Sequence, residues 1–187
     1  LDAAIPRAMM KAHTEAVSAT VLGSIYTGAS STVYSTGTTP FAWQTSTNSA
    51  SALAAAFAQL SALKVPDDGN RSAVIHPYMA QYLTQIQPGW ALNSGMPKGA
   101  QITGHIGNYA GLNIFVSPLV PGAGTAANPF KAVVLHKDAV ALAALIKEAW
   151  VGSLRPNYAG TGWSQDSIFG FAVAQPDGIV YMPTTVS

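Results

Sequence analysis

Apolar residues recur at three- and four-residue steps from the start of the chain. Ile5, Met9, Ala12, Ala16, Val17, Val21 and Ile25 make one stripe of a long helix over residues 1–27. Pro6 suits its first turn, where the missing N–H is not needed, and Gly28 suits its stop. Arg7, Lys11, His13 and Glu15 mark the wetter side. The pattern then breaks: Ser, Thr and Gly fill residues 28–48, with Val33, Tyr34, Phe41 and Trp43 as the anchors. This predicts a loop with one short extended segment, the least ordered part of the chain.

Periodicity returns at residues 52–63, where Leu53, Phe57, Leu60 and Leu63 share one helical face, with Ser49 or Ser51 as the N-cap. A sharp Val-Pro-Asp-Asp-Gly turn follows, then a continuous apolar strand at 73–76 and a short helix at 77–86. Residues 88–99 are irregular and carry Trp90, Leu92 and Met96, the kind of large apolar loop residues that make contacts with other molecules. Strands are predicted at 101–106, 112–116 and 132–135, with a Gly/Pro/Ala loop at 118–129. Residues 136–148 read as a helix with Val140, Leu142, Ala143, Leu145 and Ile146 inward and Asp138 at its positive end. After a glycine-rich aromatic stretch, strands at 169–174 and 179–182 meet at Gln175-Pro176-Asp177-Gly178, a hairpin signal that predicts positive φ at Gly178. No internal repeat is present.

Composition sharpens the picture. Charged residues are 9% of the 187, against roughly a quarter in ordinary soluble domains, while hydrophobic residues reach 49%. No apolar run approaches the ~18 residues of a membrane-spanning helix. Extensive subunit contacts, whose cores are poor in Lys, Glu and Asp, would cover such a surface. A net charge of +1 with scattered basic residues offers no stripe for specific nucleic-acid readout. The absence of cysteine removes disulfides, thiolate nucleophiles and Cys-based metal sites. The Asn70-Arg71-Ser72 glycosylation triplet lacks a secretory context. The chain begins at Leu1 directly before a helical pattern, so we expect a processed or truncated product.

Catalytic templates fail one by one. His136-Lys137-Asp138 has the wrong spacing for a phosphodiesterase motif and reads as a junction, with Asp138 supporting the helix start and His136 and Lys137 turned to solvent or a neighbour. Gly122-Ala123-Gly124 resembles a dinucleotide fingerprint, but the flanking Pro118, Pro121 and Pro129 deny it the strand and helix it needs. No nucleophile elbow or phosphate-binding loop appears. The four histidines have no i, i+3 or i, i+4 pairing, and His76 and His105 read as hydrogen-bonded structural residues. Asp67 and Asp68 adjoin in a turn and point apart. We expect no catalytic, cofactor-binding or metal-binding residues.

Two stretches remain, Asn70-Arg71-Ser72-Ala73-Val74-Ile75-His76-Pro77 continuing to Leu83, and Gly104-His105-Ile106-Gly107-Asn108-Tyr109-Ala110-Gly111-Leu112-Asn113-Ile114-Phe115-Val116-Ser117-Pro118. They resemble the Arg-x-x-Val-Ile-x-Pro and Gly-x-x-Gly-x-x-x-Gly-x-x-Ile/Val-x-Val-Ser segments of tailed-bacteriophage major capsid proteins. The resemblance implies an α+β capsid fold with a long spine helix. Residues 1–48 and 168–187 would form a peripheral lobe and 49–167 an axial lobe with a central mixed sheet, its loops 88–99 and 118–129 at the symmetry axes. It also implies a structural, non-enzymatic homo-oligomer of pentamers and hexamers in the virion, assembled in the host cytoplasm around DNA touched non-specifically. Trp90, Leu92, Met96, Arg7, Lys11 and Arg155 are the candidate inter-subunit contacts. The family's N-terminal arm and extended loop have no counterpart ahead of the helix, so this length is expected to stop short of closed particles. A nanocompartment shell protein and a small α/β enzyme are the rival readings.

Overall fold

The opening stripe becomes α1 (Ala4–Thr27), and the Gly28 N–H closes it on the Ser24 carbonyl at 2.9 Å. The computed structural model describes residues 4–44, 46–86, 105–146, 150–153, 161–164 and 167–186. After α1 come two short strands where one extended segment was expected, β1 (Ser31–Thr32) and β2 (Phe41–Ala42). Both lie parallel along one edge of the final strand, β11 (Ile179–Thr185). On that edge the Tyr181 and Thr185 carbonyls accept from Val33 and Trp43 at 2.9 and 2.7 Å. Pro183 alternates with them, so its nitrogen faces the gap between β1 and β2, where no ladder bond is lost.

α2 (Ser46–Ala62), β3 (Arg71–Ile75), α3 (Pro77–Ile86), β4 (His105–Tyr109), β5 (Leu112–Val116) and β6 (Phe130–His136) complete the main layer. Because α2 starts at Ser46, Ser49 and Ser51 lie inside the helix rather than capping it. The sheet runs β1-β11-β6-β3-β5-β4. β3 and β5 are parallel across the α3 crossover, and β6 is antiparallel to both β3 and β11. One face packs Leu53, Leu60, Met79 and Leu83 of α2 and α3 against Ile75, Ile114, Val134, Val180 and Met182. Each large apolar side chain so buried contributes about 1.5–3 kcal/mol. Trp43 seals this core, its indole N–H donating to the Met79 carbonyl at 2.8 Å. The other face receives the end of α1, with Ile25 against Val133, Ala139 and Ile179.

Past His136 the structure departs from the expectation. Over the described residues 136–146 the chain is not α-helical: a 3-10 turn takes Lys137–Ala139, and β7 (Val140–Ile146) follows. Every β7 residue pairs antiparallel with β10 (Ser167–Val173), from Val140↔Val173 to Ile146↔Ser167. Ala and Leu favour a helix by only a few tenths of a kcal/mol per residue, whereas cross-strand pairs contribute about 0.2–1 kcal/mol each. The distant partner strand therefore wins. β8 (Trp150–Ser153) and β9 (Thr161–Ser164) form a further antiparallel pair, where the sequence pattern offered no element.

The expected hairpin is also absent. β10 pairs with β7 and β11 with β6, and a second 3-10 turn, Pro176–Gly178, carries the chain between them. Gly178 does not have positive φ; it supplies room, since a Cβ there would lie 2.7 Å from that of Ala139. The Ala174 and Gln175 N–H groups both donate to the Ala139 carbonyl, at 2.9 and 3.2 Å. The β6/β11 pair thus continues as the β7/β10 ribbon through two facing kinks, an elbow.

Candidate assembly surfaces

Two of the few charged or titratable side chains, Arg71 and His136, are buried inside the fold. Arg71 opens β3 at 1% exposure, where strand alternation turns it toward the C-terminal end of α2. Its guanidinium donates to the Pro66 carbonyl at 3.1 Å, the Val65 carbonyl at 2.6 Å, the Ser61 hydroxyl at 2.9 Å and the Phe57 carbonyl of α2 at 3.5 Å, and lies 4.5 Å from the Phe57 ring centre. A cation at the negative end of a helix dipole is favourable, so Arg71 acts as a cap for α2.

His136, directly opposite Arg71 in the sheet, is 3% exposed. Its Nε2 lies 3.0 Å from Asp68 Oδ1, and its Nδ1 accepts the Asp138 N–H at 3.3 Å. This reverses the expected roles: His136 caps the 3-10 turn, Asp138 does not, and the imidazole faces inward because two polar partners await it there. Asp68 also accepts from the side-chain amide and N–H of Asn70, at 2.6 and 3.1 Å. The Asn70 amide foremost, and His136 next, hold its carboxyl well below the usual carboxylate range. His76 stacks on Phe130 at 4.1 Å, and its Nδ1 accepts the Tyr78 N–H at 3.3 Å; burial pulls its pKa down.

A cavity of about 510 Å³ lies beside the elbow, walled by the turn after α2 and both 3-10 turns. It holds no hydroxyl or thiol nucleophile, and its one histidine, His136, is engaged through both nitrogens. Among the described residues no group of three His, Asp or Glu is placed to hold a metal, and no helix is long and apolar enough to cross a membrane. Gly122 of the Gly-x-Gly stretch has φ of 118°, and a Cβ there would overlap the Pro129 carbonyl oxygen. Loop packing accounts for that glycine without a nucleotide.

The unsatisfied surface is apolar. Ala141 and Ala143 of β7 share one face of the ribbon with Ile168, Gly170 and Ala172 of β10, all exposed, Ile168 by 62%. On the opposite face Phe171 and Val173 pack toward α1, but Leu142 remains 55% exposed. A lone two-stranded ribbon is marginal in water, and this one presents apolar side chains on both sides. α1 continues the theme. The hydroxyls of Thr14, Thr20, Ser24 and Thr27 bond to carbonyls four residues back, turning donors away from the surroundings, and Met10 is 56% exposed.

Of the expected contact residues, Lys11 is exposed and lies 3.8 Å from Glu15 one turn on. Arg7 lies on α1. Trp90, Leu92, Met96 and Arg155 fall outside the described residues. Sequence reasoning missed Leu142 and Ile168 because a helix reading turned Leu142 inward. The available signal was the apolar run Val140–Ile146, matched by a second stretch of equal length, Ser167–Val173, that carries Ile168, Phe169, Phe171, Ala172 and Val173.

A family model described as phage capsid protein matches residues 1–182. Among solved structures, the capsid of the cyanophage P-SCSP1u is similar with a TM-score of 0.71 and 22% identity, covering 100% of this chain and 67% of that one. The virus-like particle from Pyrococcus furiosus is similar at 0.53 and 15%, covering 90% and 63%. The chain thus spans about two thirds of the length of the cyanophage protein. No curated protein matches it.

Proposed function

This chain belongs to the phage capsid protein family and is a structural shell protein of the virion, and we propose from this that its copies assemble, as pentamers and hexamers, into the icosahedral shell enclosing a phage genome. The observation that carries the reading is the β7/β10 ribbon, apolar on both faces with Leu142 and Ile168 exposed. A neighbouring copy would remove that surface from water at about 25 cal/mol per Å². Assembly takes place in the host cytoplasm, and the packaged DNA is touched without sequence readout, as the low and scattered basic charge suggests. The protein performs no catalysis of its own.

Sedimentation velocity and negative-stain microscopy of wild type and of a Leu142→Asp/Ile168→Asp double variant test this. Wild type should associate, with little response to salt because screening acts on exposed charges, and the variant should sediment as a monomer. A wild-type protein that stays monomeric at high concentration, or a folded variant that associates as readily, overturns the proposal. Closed particles that carry cargo protein in place of nucleic acid in infected cells would point to a nanocompartment.

A further inference from the structure

The elbow joining the sheet to the ribbon is built around an imidazole whose hydrogen bonds depend on a single proton. Ionised Asp68 can only accept, so Nε2 carries the hydrogen of that 3.0 Å bond. Nδ1 accepts the Asp138 N–H at 3.3 Å and is therefore bare. These bonds define one neutral tautomer. A second proton must enter at Nδ1, where it would face a backbone N–H. The acceptor at hand is Oδ2 of the same Asp138, 3.7 Å from Nδ1.

We propose that His136 is a pH-sensitive latch for the elbow: on protonation it releases the Asp138 N–H, draws in the Asp138 carboxylate and loosens the joint between sheet and ribbon. Asp138 cannot exchange one group for the other without turning within a three-residue 3-10 turn that also contains Ala139. The Ala139 carbonyl holds the N–H groups of Ala174 and Gln175, and its side chain abuts Gly178. Movement of the first kink is thereby passed to the second, and both strands of the ribbon respond.

The charged surroundings accommodate the imidazolium and change its geometry. Asp68 faces the ring from the turn after α2, and Asp138 from its own turn. Arg71, its neighbour across β3, is bound to the end of α2, while Lys64 and Asp177 line the adjoining cavity and Lys137 is exposed.

Hydrogen–deuterium exchange with mass spectrometry on the full chain tests it, reading overlapping peptides across residues 137–146 and 170–178, with rates corrected for intrinsic chemistry. From pH 8 to 5, protection at Ala174 and Gln175 should fall about fivefold, the loss of one hydrogen bond, while β3 and β5 stay protected. His136→Gln, whose amide can serve both partners without titrating, should keep its protection at both values. Asp138→Ala, with no carboxylate to receive the ring, should match wild type at pH 8 and lose more at pH 5. Equal protection in wild type at both pH values overturns the latch, as does a folded His136→Gln that still responds. If His136→Gln fails to fold, an Asp138→Ala response identical to wild type overturns it. Because these peptides overlap the ribbon, repeating the pH comparison in the Leu142→Asp/Ile168→Asp background separates opening of the elbow from dissociation of copies.

Discussion

Arg71→Met should destabilise the protein by about 2–3 kcal/mol. Four guanidinium bonds, at 2.6, 2.9, 3.1 and 3.5 Å, are lost. Bonds from a charged donor are worth about 1.5–3 kcal/mol each, but two effects reduce the sum. Methionine removes a buried charge, whose desolvation costs several kcal/mol, although much of that is already balanced by the α2 dipole. The Val65 and Pro66 carbonyls also lie on a turn that is half-buried to exposed, where water can replace a donor. At about 2–4 °C per kcal/mol for a domain of this size, the melting temperature should fall by about 4–12 °C. Arg71→Lys should fall between, because an ammonium cannot span both carbonyls and the Ser61 hydroxyl. Thermal unfolding followed by circular dichroism, with urea titration as a second measure, provides the comparison. A Met variant melting within about 2 °C of wild type would mean that relief of the buried charge offsets the bonds, and the capping argument for Arg71 would fail.

Two further outcomes follow from the same geometry. Gly178→Ala should cost about 1–3 kcal/mol through overpacking against Ala139, and Ala139→Gly in the same chain should restore most of it; a Gly178→Ala protein with unchanged urea midpoint would show that the elbow gives way freely. Burial lowers the His76 pKa in the folded state, so the unfolded chain takes up the proton first as pH falls. The stability this contributes is complete above about pH 6.5, the unfolded value, and is lost on acidification below it; the stability difference between wild type and His76→Gln should shrink in that range, and a difference independent of pH would remove His76 from the account.

What the sequence determined by itself is local or compositional. The 24-residue α1, α3 at Pro77–Ile86 and β5 at Leu112–Val116 were legible because their periodicity, Pro and Gly signals act within a few residues of one another. The shortage of charge pointed to covered surfaces, and the Arg71-to-Pro77 segment pointed to the capsid family, without any contact being known. Tertiary structure decided whatever depended on distant partners. Val140–Ile146 is a strand because Ser167–Val173 lies alongside it, a pairing that outweighs the helical preference of Ala and Leu. Asp177-Gly178 is not a hairpin turn because its flanking strands each found another partner, and Gly178 answers to the side chain of Ala139 rather than to its own φ. His136 faces inward because Asp68 and Asp138 approach it from two separate turns. A pattern along one chain records which residues prefer burial, and the fold decides which of them meet.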